Sequence, residues 1–99
     1  MSNLTMSLDV STTGTGWAIY DGLALVKSGV VKPKQKSFYE RAKIMASELK
    51  TVQLRALQKY DKPFDGIVIE KNSVMGPNQQ SMIKIGIVTG MILGRLVAD

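Results

Sequence analysis

A long amphipathic helix pattern with strand patterns on both sides constrains this chain more than any other feature. Phe38, Ala42, Met45, Leu49, Val52 and Ala56 recur at spacings of four and three, one stripe of an α-helix. Glu40, Arg41, Lys43, Glu48, Lys50, Arg55 and Lys59 occupy the other faces. Ser37 and Glu40 form an S-x-x-E capping box, and Asp61-Lys62-Pro63 breaks the pattern, so a helix is predicted from about 37 to 60. It leads into Gly66-Ile67-Val68-Ile69-Glu70, a β-branched run that reads as a central strand covered on both faces. A strand reached through a helix after a hairpin is a crossover. The fourth strand is therefore expected beside the first and parallel to it.

The hairpin itself is LDVSTTGTGWAIYDG, Leu8 to Gly22. Leu4, Met6, Leu8 and Val10 alternate with polar residues as in a half-buried strand. Asp9 stands within that strand, although aspartate is depleted in strands and costly to bury without a partner or a metal. Ser11, Thr13 and Thr15 crowd hydroxyls into the following turn, where Gly14 and Gly16 are free to take positive φ. Trp17 to Tyr20 form the returning strand, Asp21-Gly22 a second tight turn, and Leu23 to Val31 a third strand. Adjacent strands lie ~5 Å apart, so Asp9 and Glu70 are expected close enough to share a divalent cation.

Composition restricts what that cation can be. The 99 residues suffice for one domain and hold neither cysteine nor histidine, which removes disulfides, thiolate sites, the usual zinc ligand and the usual general base. Oxygen ligands remain, and they suit Mg²⁺, Mn²⁺ or Ca²⁺. Residues 27–62 carry ten of the thirteen basic side chains against three acids, and Lys32-Pro33-Lys34-Gln35-Lys36 concentrates three of them. A basic segment beside an acidic site suits a polyanion such as DNA, although solvated helix faces are often equally rich in lysine. The first residues have no basic n-region or apolar h-region, which sets a cytoplasmic location as the expectation.

Downstream, Asn78 is a reasonable N-cap for a last helix that is apolar nearly all round from Met82 to Ala98. Only ten uncharged residues separate Lys84 from Arg95, short of the ~20 needed to cross a bilayer. Gly86, Gly90 and Gly94 recur every fourth residue and mark a face that another backbone could approach closely, either the chain's own sheet or a partner subunit.

Three motifs in order carry a resemblance to the RuvC-type Holliday-junction resolvases of the ribonuclease H-like fold. LDVSTTGTGWAIYDG resembles the family's opening strand and turn, with Thr15-Gly16-Trp17-Ala18 at the turn exit. IVIEKN is similar to its fourth strand, which ends in a catalytic Glu matched by Glu70. Asn78-x-x-Ser81-x-x-Lys84-x-Gly86, with Gly90, looks like its next helix. The short phage-encoded members are nearest in style.

The resemblance implies one partial ribonuclease H-like domain over residues 1–99, an α/β fold with strand order 3-2-1-4, no fifth strand, and two helices. It implies metal-dependent hydrolysis of a phosphodiester in four-way DNA by a two-fold dimer, without membrane involvement. Asp9 and Glu70 would hold Mg²⁺ or Mn²⁺, and Lys84 would neutralise charge on the phosphate. Lys32, Lys34, Lys36, Lys71, Ser81 and Lys84 would contact DNA, with Lys27 adding to the basic surface, and Ser11, Thr13 and Thr15 would lie near phosphate. The chain departs from the family at Ser73, Val74 and Met75, where bacterial members have an aromatic wedge. It also lacks the family's last two carboxylates, and Asp99 matches neither. Weak cleavage, or none, is expected from this chain alone. Two other classes share some of these features: a nucleotide-binding ATPase of the actin and sugar-kinase type, and a non-catalytic dimerising DNA-binding module.

Overall fold

The computed structural model describes residues 3–70 and 79–98, with side chains in the second segment from Met82 onward. Lys71, Ser73, Val74, Met75, Asn78, the side chain of Ser81 and Asp99 lie outside the described residues. The elements are β1 (Leu4–Val10), β2 (Thr15–Asp21), β3 (Ala24–Val31), α1 (Phe38–Tyr60), β4 (Phe64–Ile69) and α2 (Gln79–Val97). The strands form one sheet in the order β3-β2-β1-β4, antiparallel across the first three and parallel between β1 and β4, as the crossover argument requires. Gly22, with φ 62°, supplies the positive φ of the two-residue turn between β2 and β3.

Strand alternation decides which side chains reach the core. Leu4, Met6, Leu8 and Val10 are buried, with Ile19 and Val31 on the same face of neighbouring strands. Ala42, Met45, Leu49 and Ala56 of α1 and Val88, Ile92 and Leu96 of α2 complete the same cluster. The buried stripe of α1 is wider than the spacing predicts, because Ala46 and Gln53 join it where α2 packs alongside. There the Gln53 amide donates to the Leu96 carbonyl at 3.1 Å, and Lys50 donates to Ala98 at 2.8 Å. The Ser37 hydroxyl accepts from the Glu40 N–H at the start of α1, and Asp61 closes its end in the left-handed region.

The expectation that the fourth strand is covered on both faces is corrected. Among the described residues β4 pairs with β1 alone, and Val68 remains 54% exposed on the face away from the cluster. Its apolar run is long enough for a doubly covered strand. Among the described residues, however, both helices join the core through the other face of the sheet.

The reading of the glycine stripe is narrowed as well. A Cβ at Gly86, Gly90 or Gly94 would meet nothing within 4 Å, so the chain's own sheet does not approach that face. The tightest approach to a glycine is instead at Gly29. The Trp17 indole lies against it across the β2–β3 pair, and a Cβ at position 29 would sit 2.6 Å from Trp17 Cζ2. Gly29→Ala is expected to displace the indole and lower the unfolding free energy by about 1–3 kcal/mol in a urea titration.

Candidate metal and nucleic-acid site

Asp9 owes its position to the same alternation that buries its neighbours. Leu8 and Val10 point into the core at 0% and 1% exposure, and Asp9 between them is exposed on the opposite face of the sheet. The parallel register pairs Leu8 with Ile69, so the next step along both strands brings Asp9 beside Glu70. The Glu70 N–H donates to the Leu8 carbonyl at 2.9 Å and extends the ladder by one bond. Two exposed carboxylates thus stand at the carboxyl ends of adjacent strands. Among the described residues, no third acid, histidine or cysteine joins them in a metal-sized group.

The turn after β1 is ordered by its own hydroxyl. Ser11 Oγ accepts from the N–H groups of Gly14 and Thr13, at 3.1 and 3.3 Å, and donates to the Gly14 carbonyl at 2.8 Å. Ser11 thus orders the turn, while Thr13 is exposed beside it. Thr15 is a correction: it is fully buried, and its hydroxyl donates to Met45 Sδ at 3.3 Å. Its register partner is Val10, which places it on the core face, out of reach of any phosphate at Asp9.

The basic loop lies at this end of the sheet because β3 ends at Val31, opposite Thr15. Lys32, Lys34 and Lys36 are all exposed there. Arg41, in the first turn of α1, ties the loop to the acidic strand's turn. Its Nε donates to the Thr12 carbonyl at 3.1 Å, and its Nη1 to Gln35 and Lys36 at 3.0 and 2.7 Å. Sequence reasoning missed this role, since Arg41 is spaced like any other cation on the polar side of the helix.

Lys84 is exposed, with its ammonium 5.8 Å from the centroid of the Phe38 ring, at the start of α1 directly after the basic loop. It reaches this end of the molecule without touching either carboxylate. Lys27 stands elsewhere: it pairs with Ile19 on the helix-covered face, apart from the loop lysines.

These donors fit a hard cation. Mg²⁺ commonly takes one or two carboxylates and completes its shell with water and substrate phosphate oxygens, and an exposed pair leaves those positions open. The chemistry available here is carboxylate coordination flanked by a cationic surface that attracts phosphates.

A mixed sheet in the order 3-2-1-4 with two helices is a ribonuclease H-like architecture. A solved structure of T. thermophilus RuvC in complex with a Holliday junction substrate matches it at a TM-score of 0.63 with 18% sequence identity, covering 94% of this chain and 56% of that chain. The present chain thus spans little more than half the length of the protein it matches, and at this identity the likeness shows the fold. No protein-family model matches the sequence, and no curated protein matches it.

Proposed function

We propose that this chain is a DNA-junction-handling protein of the resolvase type whose Asp9 and Glu70 form the amino-terminal half of a metal-dependent nuclease site. The observation that carries this reading is the placement of the two carboxylates on adjacent parallel strands, at the end of the sheet where Lys32, Lys34 and Lys36 emerge. The RuvC neighbour, solved with a Holliday junction substrate, supports it at the level of fold.

Asp9 and Glu70 would hold Mg²⁺ or Mn²⁺, which when bound supplies a more acidic attacking water and neutralises charge at the scissile phosphodiester. The loop lysines would grip the DNA backbone and so concentrate and orient it. Lys84 would place a further positive charge on the phosphate side, and Lys71 and Ser81 are proposed as additional backbone contacts. Of the turn hydroxyls, the exposed Thr13 would be the one to contact a phosphate, since Ser11 serves the turn and Thr15 the core. Two carboxylates are fewer than the four that the resemblance implies, so DNA binding without rapid cleavage is the expected behaviour of this chain alone.

We further propose that it works as a homodimer through α2. Ile83, Ile87 and Val97 are exposed at 62%, 46% and 71%, and with Gly90 and Gly94 they form a stripe opposite the buried Val88, Ile92 and Leu96. A dimer would present two acidic pairs, matching the symmetry of a four-way junction.

Fluorescence anisotropy with a labelled four-way junction and a linear duplex of the same sequence tests the reading. The junction is expected to bind roughly tenfold more tightly at matched salt. Equal affinities would reduce the protein to a general DNA-binding module, and failure to bind either would end the nucleic-acid reading.

A further inference from the structure

On the helix-covered face, away from Asp9, a narrow cavity of about 120 Å³ opens between the C-terminal half of α1 and the β2–β3 pair. Its walls combine two aromatic rings, Trp17 and Tyr60, with three cations, Lys27, Arg55 and Lys59. The volume is roughly ten times what a single water needs, enough to admit one planar ring. Among the described residues, no carboxylate lines it.

The cavity depends on particular residues. Gly29 allows the Trp17 indole to lie against the sheet, where any side chain would displace it. Register places Lys27 opposite the buried Ile19, so this lysine rises on the helix-covered face. Arg55 and Lys59 are one turn apart on the same face of α1, and Lys59 Nζ stands 5.5 Å over the Tyr60 ring. The C terminus of α1 contributes a partial negative charge of about half a unit, which three full positive charges outweigh. No carboxylate partner for Lys27, Arg55 or Lys59 exists among the described residues, so their charge is available to an anion.

Aromatic faces beside cations, around a mostly apolar slot, are the features that accept an unstacked base and its phosphate. We infer that this cavity is a nucleotide-binding subsite, with the base against Trp17 and Tyr60 and the phosphate held by Lys27, Arg55 and Lys59. The same chemistry serves a free nucleotide or one nucleotide of an unpaired DNA strand. It lies on the other side of the sheet from the acidic pair and does not depend on metal.

Trp17 is the chain's one tryptophan, so its emission reports on the cavity directly. Titration with a short oligothymidylate and, separately, with thymidine monophosphate is expected to quench that emission saturably in at least one arm. Quenching by both assigns the site to nucleotides in general, and quenching by the oligonucleotide alone assigns it to unpaired strands. Arg55→Gln combined with Lys59→Gln changes two exposed helix positions. It is expected to weaken the quench roughly tenfold or more and leave the circular dichroism unchanged. Asp9→Asn should not alter the quench, and labelled duplex binding through the loop lysines, read by anisotropy, should persist in the double variant. No change in Trp17 emission with either probe at millimolar concentration, or a quench that the double variant leaves intact, would overturn the inference.

Discussion

Replacing Lys32, Lys34 and Lys36 together by glutamine is expected to weaken DNA binding roughly tenfold or more at low salt. It should also flatten the dependence of log affinity on log salt by roughly 2–3 units of slope. Each phosphate contact releases condensed counterions from the duplex and adds about 0.9 to the slope, so three lost contacts account for that change. The effect should be similar on junction and duplex, because backbone contacts position DNA without reading its sequence. All three lysines are exposed, and the loop's order comes from Arg41 bonding to backbone carbonyls, which the substitutions leave in place. The triple variant should therefore keep its fold. An unchanged salt slope, measured by anisotropy over a series of salt concentrations, would remove the loop from the interface.

The second large effect concerns assembly. Ile83→Glu with Ile87→Glu is expected to raise the dimer dissociation constant by roughly a hundredfold or more, since each protomer loses two apolar contacts and gains two carboxylates at a symmetric interface. Neither side chain is in the core, whose α2 members are Val88, Ile92 and Leu96. The variant monomer should consequently stay folded. Sedimentation equilibrium should show wild-type dimer and variant monomer at the same concentration. A wild-type protein that is monomeric at high concentration would contradict the assembly proposal.

The sheet was legible in the sequence because each strand carries its pattern locally. Period-two alternation marked β1, the Asp21-Gly22 turn fixed the second hairpin, and the helix between them and the β-branched run forced the parallel pairing of β4 with β1. The juxtaposition of Asp9 and Glu70 followed from that topology alone.

Facts set by packing were harder to read. The sequence places Thr15 among turn hydroxyls, yet the turn closes one residue earlier and the strand that begins at Thr15 directs its hydroxyl onto Met45. Val68 reads as buried because a β-branched run is the same whether one face of the sheet is covered or two. Arg41 has a role only because the β1 turn and the Lys32–Lys36 loop meet in space, twenty or more residues apart along the chain. The cavity at Trp17 likewise needs Gly29 directly across the strand pair, a coincidence of register that no local pattern announces.

If Asp9 and Glu70 act together on a divalent cation, thermal unfolding of the wild type, Asp9→Asn and Glu70→Gln across a Mn²⁺ titration will separate the three proteins. With free metal at ten times its dissociation constant, linkage adds ~1.4 kcal/mol to the folded state, a rise in Tm of roughly 6–11 °C for a domain of this size. That rise is expected in the wild type and its loss in both variants, which should match or exceed the wild type in stability without metal because a like charge has been removed. Equal Mn²⁺ stabilisation of all three proteins, or unfolding of Asp9→Asn in the absence of metal, would contradict joint action of the two carboxylates on the cation.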